Sequence, residues 1–133
     1  MVRWQLARIY WLQGRAADAL AVEREAGSVS ASHGNQTILR GLPEVEAVLG
    51  KEGFRAACLK SVQLKERAYP DLTPENIPLQ YGLLQESGKV LEWIERLRDS
   101  YGMIMLLNSA PEFDFIRTDD RFQQLQRRYG VKP

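Results

Sequence analysis

Residues 3–26 read RWQLARIYWLQGRAADALAVEREA, and this stretch decides the fold. Its apolar residues recur at steps of three and four on both sides of Gly14, which is the spacing of one helical face. A glycine at such a position ends a helix, because it adopts a left-handed backbone without a steric penalty. Two helices joined by one or two residues have to fold back on each other. The stretch therefore predicts an antiparallel helical hairpin.

The same kind of pattern predicts a second, less regular hairpin. A weak helix is expected within residues 36–50, and Gly41 and Pro43 interrupt its apolar pattern. Its firm part is therefore expected to begin at Pro43, since proline is tolerated in the first turn of a helix. A longer helix is expected from Phe54, and Pro70 has to end it.

A third hairpin and a short C-terminal region follow. Thr73, Pro74 and Glu75 supply an N-cap, a first-turn proline and an acid near the positive helix end. The helices and short apolar segments expected after them are residues 77–84, 90–99, 103–107, 111–116 and 121–129. No stretch alternates apolar and polar residues as a strand does. We expect an all-α fold of about three stacked antiparallel helix hairpins plus a C-terminal capping helix, in a single domain over residues 1–133.

The composition and charge exclude several classes of protein. Hydrophobic residues make up 44% of the chain and charged residues 26%, and the formal net charge is +1. Such a near-balance gives no bulk support for nucleic-acid binding, which usually needs a clustered basic face. The longest apolar run, residues 103–107, is far too short to span a bilayer, and no signal-peptide pattern is visible. We expect a cytoplasmic protein without nucleic-acid or membrane partners.

Small and aromatic residues recur at corresponding places in the hairpins. The first hairpin carries Ala7, Tyr10, Gly14, Ala19 and Ala26, and the third carries Tyr81, Val90, Ile94 and Leu97, with Gln85 where the first has its turn glycine. The middle hairpin fits at Ala57, and the spacings from Ala19 to Ala57 and from Ala57 to Val90 are 38 and 33 residues. This pattern resembles the tetratricopeptide-repeat family, whose period is 34 residues.

The C-terminal half is similar to a narrower group. Residues 81–96 and 111–122 resemble the closing repeats of bacterial multidomain regulators, in which tetratricopeptide modules trail a winged-helix DNA-binding domain or a kinase domain. The resemblance implies a scaffold that binds other proteins and needs no cofactor. It also leaves open that the chain is the regulatory segment of such a regulator.

In the family's geometry the first helix of each pair lines a concave groove. The residues that this places on the groove are Trp4, Gln5, Arg8, Trp11, Leu12, Asn76, Leu79 and Leu83. Aromatic and arginine side chains are frequent interface anchors, so the expected ligand is a peptide or a partner helix. In the alternative interpretation, Trp4 and Trp11 only pack against neighbouring helices.

The first helix also suggests self-association. It starts almost at Met1, without a capping residue or a polar helix before it, and solenoid ends normally need such a cover. Either this face pairs with a second copy as a homodimer, or the chain is a fragment whose preceding domain is absent. An RNA-binding helical repeat is a further, weaker alternative.

Few residues offer catalytic or metal chemistry. His33 is the sole histidine and is expected in a polar loop, and Cys58 is the sole cysteine and lies beside a core alanine. One histidine and one cysteine cannot build a zinc site of the usual kind. The carboxylates of Asp114, Asp119 and Asp120 lack the glycine and distal glutamate of a calcium loop, so capping of the last helix by Asp119 or Thr118 is the preferred role. We expect neither a metal site nor an enzyme.

Overall fold

The computed structural model of the protein describes residues 3–28, 33–69, 76–97 and 100–130, and the side chains of all of these except residues 3, 33–35 and 101. Every regular element in this part of the chain is helical, which confirms the predicted all-α class. The elements are α1 (Arg3–Leu12), α2 (Ala16–Ser28), α3 (His33–Glu52), α4 (Phe54–Ala68), α5 (Asn76–Leu83), α6 (Ser87–Arg96), α7 (Tyr101–Ser109), the 3₁₀ helix η1 (Pro111–Ile116) and α8 (Asp120–Arg128).

The chain divides into two compact units, Met1–Asn76 and Ile77–Pro133. The stacking of the hairpins into one tetratricopeptide-like solenoid therefore stays a prediction, as does the single domain. The predicted helix start at residues 73–75 lies outside the described residues. The helix α4 ends at Ala68, before Pro70 as predicted, whereas α6 ends at Arg96, earlier than the predicted end at about Asp99.

The first hairpin forms as predicted, and its turn is a Schellman motif. Gly14 has φ of +74°, and its amide donates to the carbonyl of Trp11 at 3.1 Å. The amide of Arg15 donates to the carbonyl of Tyr10 at 2.8 Å. These are the two bonds that end a helix at a left-handed residue. The Arg15 guanidinium also lies 4.4 Å from the centre of the Tyr10 ring, so the turn is held by side chains as well.

The third helix differs from the prediction. It is one continuous element of 20 residues, with Pro43 inside it rather than in its first turn. His33, expected in a loop, is its first residue. Pro43 is exposed, so the carbonyl of Leu39, which loses its usual donor four residues on, belongs to a turn that faces solvent rather than the core.

The glycine at position 41 allows close helix packing and does not break the helix. A Cβ atom at this position would lie 2.8 Å from Leu64 Cδ2 and closer still to Cδ1, so the glycine lets α3 approach α4 closely. The two helices are joined by Gly53 alone, which has φ of +90°. A single left-handed residue is enough here because its free backbone allows the chain to reverse at once.

The first unit has its core between α1 and α2, α2 and α3, and α3 and α4, with a further contact between α2 and α4. Small residues allow these close approaches, since Ala7, Ala16, Ala19 and Ala57 are all buried. The larger buried side chains of this unit are Trp11, Leu20, Leu42, Val45, Val62 and Leu64.

The turn between α5 and α6 repeats the turn between α1 and α2. Gln85 has φ of +56°, its amide donates to the carbonyl of Gly82 at 3.0 Å, and the amide of Glu86 donates to the carbonyl of Tyr81 at 3.0 Å. Residues 81–86 thus form the same Schellman motif as residues 10–15. Gln85 occupies the place of Gly14, as the sequence pattern indicated.

In the rest of the second unit, one arginine and one aspartate bind the backbone at the end of α7 and at the start of α8. The Arg117 guanidinium donates to the carbonyls of Leu107 at 3.0 Å and Ala110 at 2.7 Å, which are at the end of α7. Asp119 is the N-cap of α8, because its carboxylate accepts from the amide of Arg121 at 2.8 Å. The predicted capping role of Asp119 is therefore confirmed.

The core of the second unit consists mainly of Val90, Trp93, Ile94, Met103, Leu107, Phe113, Ile116 and Phe122.

Candidate partner-binding surfaces

Four of the predicted groove residues on α1 reach the surface. Gln5 is exposed, Arg8 and Trp4 are half-buried, and Leu12 keeps 37% of its surface exposed. Gln5, Arg8 and Leu12 are three and four residues apart, so they lie on one side of the helix. We refer to these three residues, with the edge of Trp4, as the α1 stripe. It combines an apolar side chain with an arginine, as interface anchors commonly do.

Trp11 does not belong to this surface, and its placement on a groove is wrong. Only 1% of Trp11 is exposed, and its ring packs against Phe54 with the ring centroids 5.7 Å apart. Its Nε1 donates to Glu23 Oε1 at 3.1 Å, and Lys65 Nζ lies 5.7 Å from the ring centre. The burial of an indole is favourable when its N–H finds an acceptor, which Glu23 supplies. The packing interpretation therefore holds for Trp11.

The predicted residues on α5 are also largely inaccessible. Asn76 is 7% exposed, and its side-chain amide donates to the carbonyl of Trp4 at 3.5 Å. Leu79 is 1% exposed, so its predicted place on an open groove is wrong as well. Leu83 is half-buried and remains accessible at its edge. Because Leu83 belongs to the second unit, its sharing of a groove with α1 stays a prediction.

The sequence that contains the α1 stripe carries charged residues of one sign only. Residues 1–17 contain Arg3, Arg8 and Arg15 and no carboxylate. Asp18, the first acid, pairs with Arg15 at 2.9 Å, with both side chains half exposed. The stripe therefore belongs to the part of the sequence with the largest excess of arginine in the N-terminal hairpin, and such an excess favours an acidic ligand.

A second surface was not predicted from the sequence: an open cleft of about 720 Å³ between α2 and α3. We refer to it as the α2–α3 cleft. Its walls are Ala17, Leu20, Ala21, Arg24, Glu25, Ser28, Glu46, Leu49 and Gly50. The sequence contains one signal for this cleft, namely the small residues Ala17 and Ala21 on α2. Both are exposed, and they leave room that larger side chains would fill.

The second unit contains a smaller cleft between α6 and α8, of about 440 Å³. Its charged side chains already have partners within the unit. Arg128 pairs with Glu95 at 2.5 Å, and Arg121 pairs with Asp119 at 2.9 Å. These arginines hold the two helices and the helix cap, so their presence alone does not indicate a site for an anion.

The side chains that were candidates for catalysis or metal binding are buried or have partners within the fold. Cys58 is buried, as expected from its position beside Ala57. Hydrogen bonds from Arg121 hold the pKa of Asp119 below its usual value. Asp114 pairs with Arg117 at 2.9 Å. Among the residues that the structure describes, no group of three or more histidine, cysteine, aspartate or glutamate side chains could hold a metal ion.

Comparisons with protein-family models, with curated proteins and with solved structures found no match to this chain. The resemblance to tetratricopeptide repeats therefore rests on the residues of this sequence alone. In the described part of the chain, no helix is long and apolar enough to cross a membrane.

Proposed function

We propose that the protein is a non-catalytic, cytoplasmic interaction module that binds a segment of another protein on the α1 stripe. The observation that carries the proposal is the exposure of Leu12, a large apolar side chain, beside Arg8 and the half-buried Trp4. An apolar anchor next to an arginine is a frequent composition of interface centres. A straight helix face such as this one fits a second helix, whose apolar residues at three- and four-residue steps would cover it.

The repeated turn supports the idea of a helical-repeat module. Residues 10–15 and 81–86 form the same motif around a tyrosine, and a cation lies over each tyrosine ring, although from a different position: Arg15 of the turn lies over Tyr10, and Lys89 of α6 lies over Tyr81. Two hairpins with the same construction are what a tetratricopeptide-like repeat would produce. This supports the family resemblance, and with it the general role of such modules as protein-binding scaffolds.

The charge of the N-terminal hairpin selects the partner. Arg3, Arg8 and Arg15 all belong to the hairpin, and no carboxylate precedes Asp18 in the sequence. The partner segment is therefore an amphipathic helix that presents leucine-like side chains to Leu12 and carboxylates to the arginines. Complementary charge raises the rate of association and excludes wrong partners more than it raises affinity.

The test uses two matched synthetic helical peptides with leucines along one face, flanked by glutamates in one and by lysines in the other. Binding of labelled peptide is followed by fluorescence anisotropy at low and physiological salt. We expect the Leu/Glu peptide to bind and Leu12→Asp to weaken it at least about tenfold, because a buried apolar contact is replaced by a charge that repels the peptide. Gln63→Asp, on the exposed face of α4, is the control.

Measurement of the mass in solution distinguishes self-association through the α1 stripe from binding of another protein. Light scattering over a wide concentration range compares the native chain with Trp4→Glu and Leu12→Asp. A dimer that dissociates in both variants would assign the stripe to a second copy of the chain. A monomer that shows no Leu12-dependent binding of the Leu/Glu peptide would contradict the proposed function.

A further inference from the structure

The buried face of α1 consists of two side chains. Within residues 4–12, those of Ala7 and Trp11 are buried, with 1% of each exposed. The alanine side chain is one methyl group, whereas a tryptophan buries about 150–250 Å², so Trp11 is the anchor that holds α1. By contrast, α4 has buried residues along its length from Ala57 to Ala68. An element with few buried side chains opens more readily than the core, and a ten-residue helix has little stability in water once it is undocked.

The pocket that holds Trp11 favours one orientation of the indole. Its Nε1 donates to Glu23 Oε1 of α2 at 3.1 Å, and its ring packs against Phe54 with the ring centroids 5.7 Å apart. Lys65 of α4 lies 5.7 Å from the ring centre and pairs with the same Glu23 carboxylate. A turned indole would leave its N–H without this acceptor in a buried place, which is costly. The pocket therefore fixes the rotation of α1 about its own axis.

The rotation of α1 decides where the α1 stripe faces. Arg8 and Leu12 of the stripe each follow a buried residue by one position, Ala7 and Trp11 respectively. Consecutive residues of a helix are about 100° apart, so these two stripe side chains lie one such step from the buried line. A helix without its buried anchor would present them in no fixed direction.

We propose that Trp11 is the positioning residue of the α1 stripe: α1 docks on the rest of the first unit as a separate step, and the partner segment binds the docked form. The role of Trp11 rests on the proposed function of the stripe, whereas the docking of α1 can be measured without any partner. Binding to one form lowers the apparent affinity by the fraction of molecules in that form, so a loss of docking appears as a loss of affinity. A bound partner in turn stabilises the docked helix.

The docking step is tested by hydrogen exchange of the full chain without peptide, followed at each amide by nuclear magnetic resonance. We expect the amides of residues 7–12 to exchange at least about tenfold faster than the slowest amides of α4. Leu64→Val is the matched variant, because Leu64 packs against α3 beside Gly41. It should speed the slowest α4 amides about fivefold and leave the α1 amides almost unchanged, since the opening of α1 leaves that contact in place.

The role of Trp11 is tested with the Leu/Glu peptide. Trp11→Ala should remove the protection of the α1 amides, keep that of α4 and weaken peptide binding at least about tenfold, although Trp11 does not reach the surface. Trp11→Phe keeps an aromatic ring against Phe54 and should restore the affinity to within about fivefold of the native value. Leu64→Val should leave the affinity unchanged, because it lowers the stability without undocking α1.

Four outcomes would overturn the proposal: α1 amides that exchange as slowly as those of α4, Leu64→Val speeding both helices equally, loss of α4 protection in Trp11→Ala, or native affinity in that variant. No binding of the Leu/Glu peptide by the native chain would contradict the proposed function and with it the role of Trp11 toward a partner. The exchange rates would still decide whether α1 docks as a separate step.

Discussion

The Lys65 ammonium pairs with the Glu23 carboxylate inside the first unit, where the two side chains are only 9% and 10% exposed. Glu23 also accepts the hydrogen bond of the Trp11 indole, so one carboxylate serves an ammonium on α4 and an indole on α1. A buried ion pair of this kind adds little net stability, because both charges lose their hydration. It does make wrong packing costly, since a shift of α2 or α4 would separate the two charges and a shift of α1 would take the indole N–H from its acceptor.

Glu23→Gln is therefore expected to destabilise the protein by about 3 kcal/mol, because Lys65 would stay charged and buried without a counter-charge. The glutamine carbonyl can still accept from Trp11, so the variant isolates the effect of charge. Chemical denaturation followed by tryptophan fluorescence measures the loss.

The double variant Glu23→Gln/Lys65→Met should recover most of this loss, since it removes the ammonium that has lost its carboxylate and fills its volume with an apolar side chain. A double variant as unstable as Glu23→Gln alone would show that the carboxylate acts through something other than Lys65.

Two closely packed glycines are expected to respond differently to the same substitution. A Cβ at Gly41 would meet the side chain of Leu64, whereas a Cβ at Gly82 would lie 2.5 Å from the backbone carbonyl oxygen of Glu112. A side chain can move, but the backbone of η1 cannot without shifting the helix. We expect Gly41→Ala to cost about 1 kcal/mol and Gly82→Ala about 3 kcal/mol of unfolding free energy.

The matched controls for these glycines are Gly50→Ala and Gly88→Ala, in helices where a Cβ would meet nothing within 4 Å. Both should be neutral or stabilising by up to about 1 kcal/mol, as alanine is the better helix former. Trimming Leu64 to valine should reduce the cost of Gly41→Ala but not that of Gly82→Ala. Equal costs at Gly41 and Gly82 would contradict the distinction.

The sequence predicted the helices better than the accessible surfaces. Helix ends with local causes, such as Gly14 and Asp119, were predicted because the cause lies within a few residues of the effect. The continuity of α3 through Pro43 was not predicted, because its packing against α2 and α4 outweighs the local preference of one residue. Tertiary packing of this kind cannot be read from neighbours in the sequence.

The same limit applies to the candidate site. Trp4, Trp11 and Leu12 lie on the same short helix, and only the position of Phe54 and Glu23 decides that Trp11 is buried while Leu12 is exposed. The α2–α3 cleft depends on two helices from different hairpins. Periodicity in one helix shows which side chains share a face, but it does not show which face its neighbours cover.

Asp119 should make the stability of α8 depend on pH. Hydrogen bonds from Arg121 lower the pKa of Asp119 in the folded protein below its ordinary value of 3.8. Because the folded-state pKa lies below the unfolded one, the carboxylate stabilises the fold at neutral pH, and this contribution is lost as the pH falls below about 4 through the folded-state pKa. The expected result is that Asp119→Asn, which still caps the helix, is less stable than the native chain at pH 7 and differs less from it near pH 2. Thermal unfolding at both pH values measures this, and a gap that widens in acid would contradict it.

The two Schellman turns allow a reciprocal exchange. Gln85, at φ +56°, holds a backbone conformation that costs a residue with a side chain about 1 kcal/mol, whereas Gly14, at φ +74°, adopts it freely. A Cβ at Gly14 would meet nothing within 4 Å, so a substitution there changes backbone strain without a clash, and Gln85 is likewise exposed. Gln85→Gly should therefore stabilise the protein by up to about 1 kcal/mol, and Gly14→Gln should destabilise it by about 1 kcal/mol. Denaturant midpoints at unchanged slope would measure both effects, and a loss of stability in Gln85→Gly would mean that the glutamine side chain contributes contacts worth more than the strain.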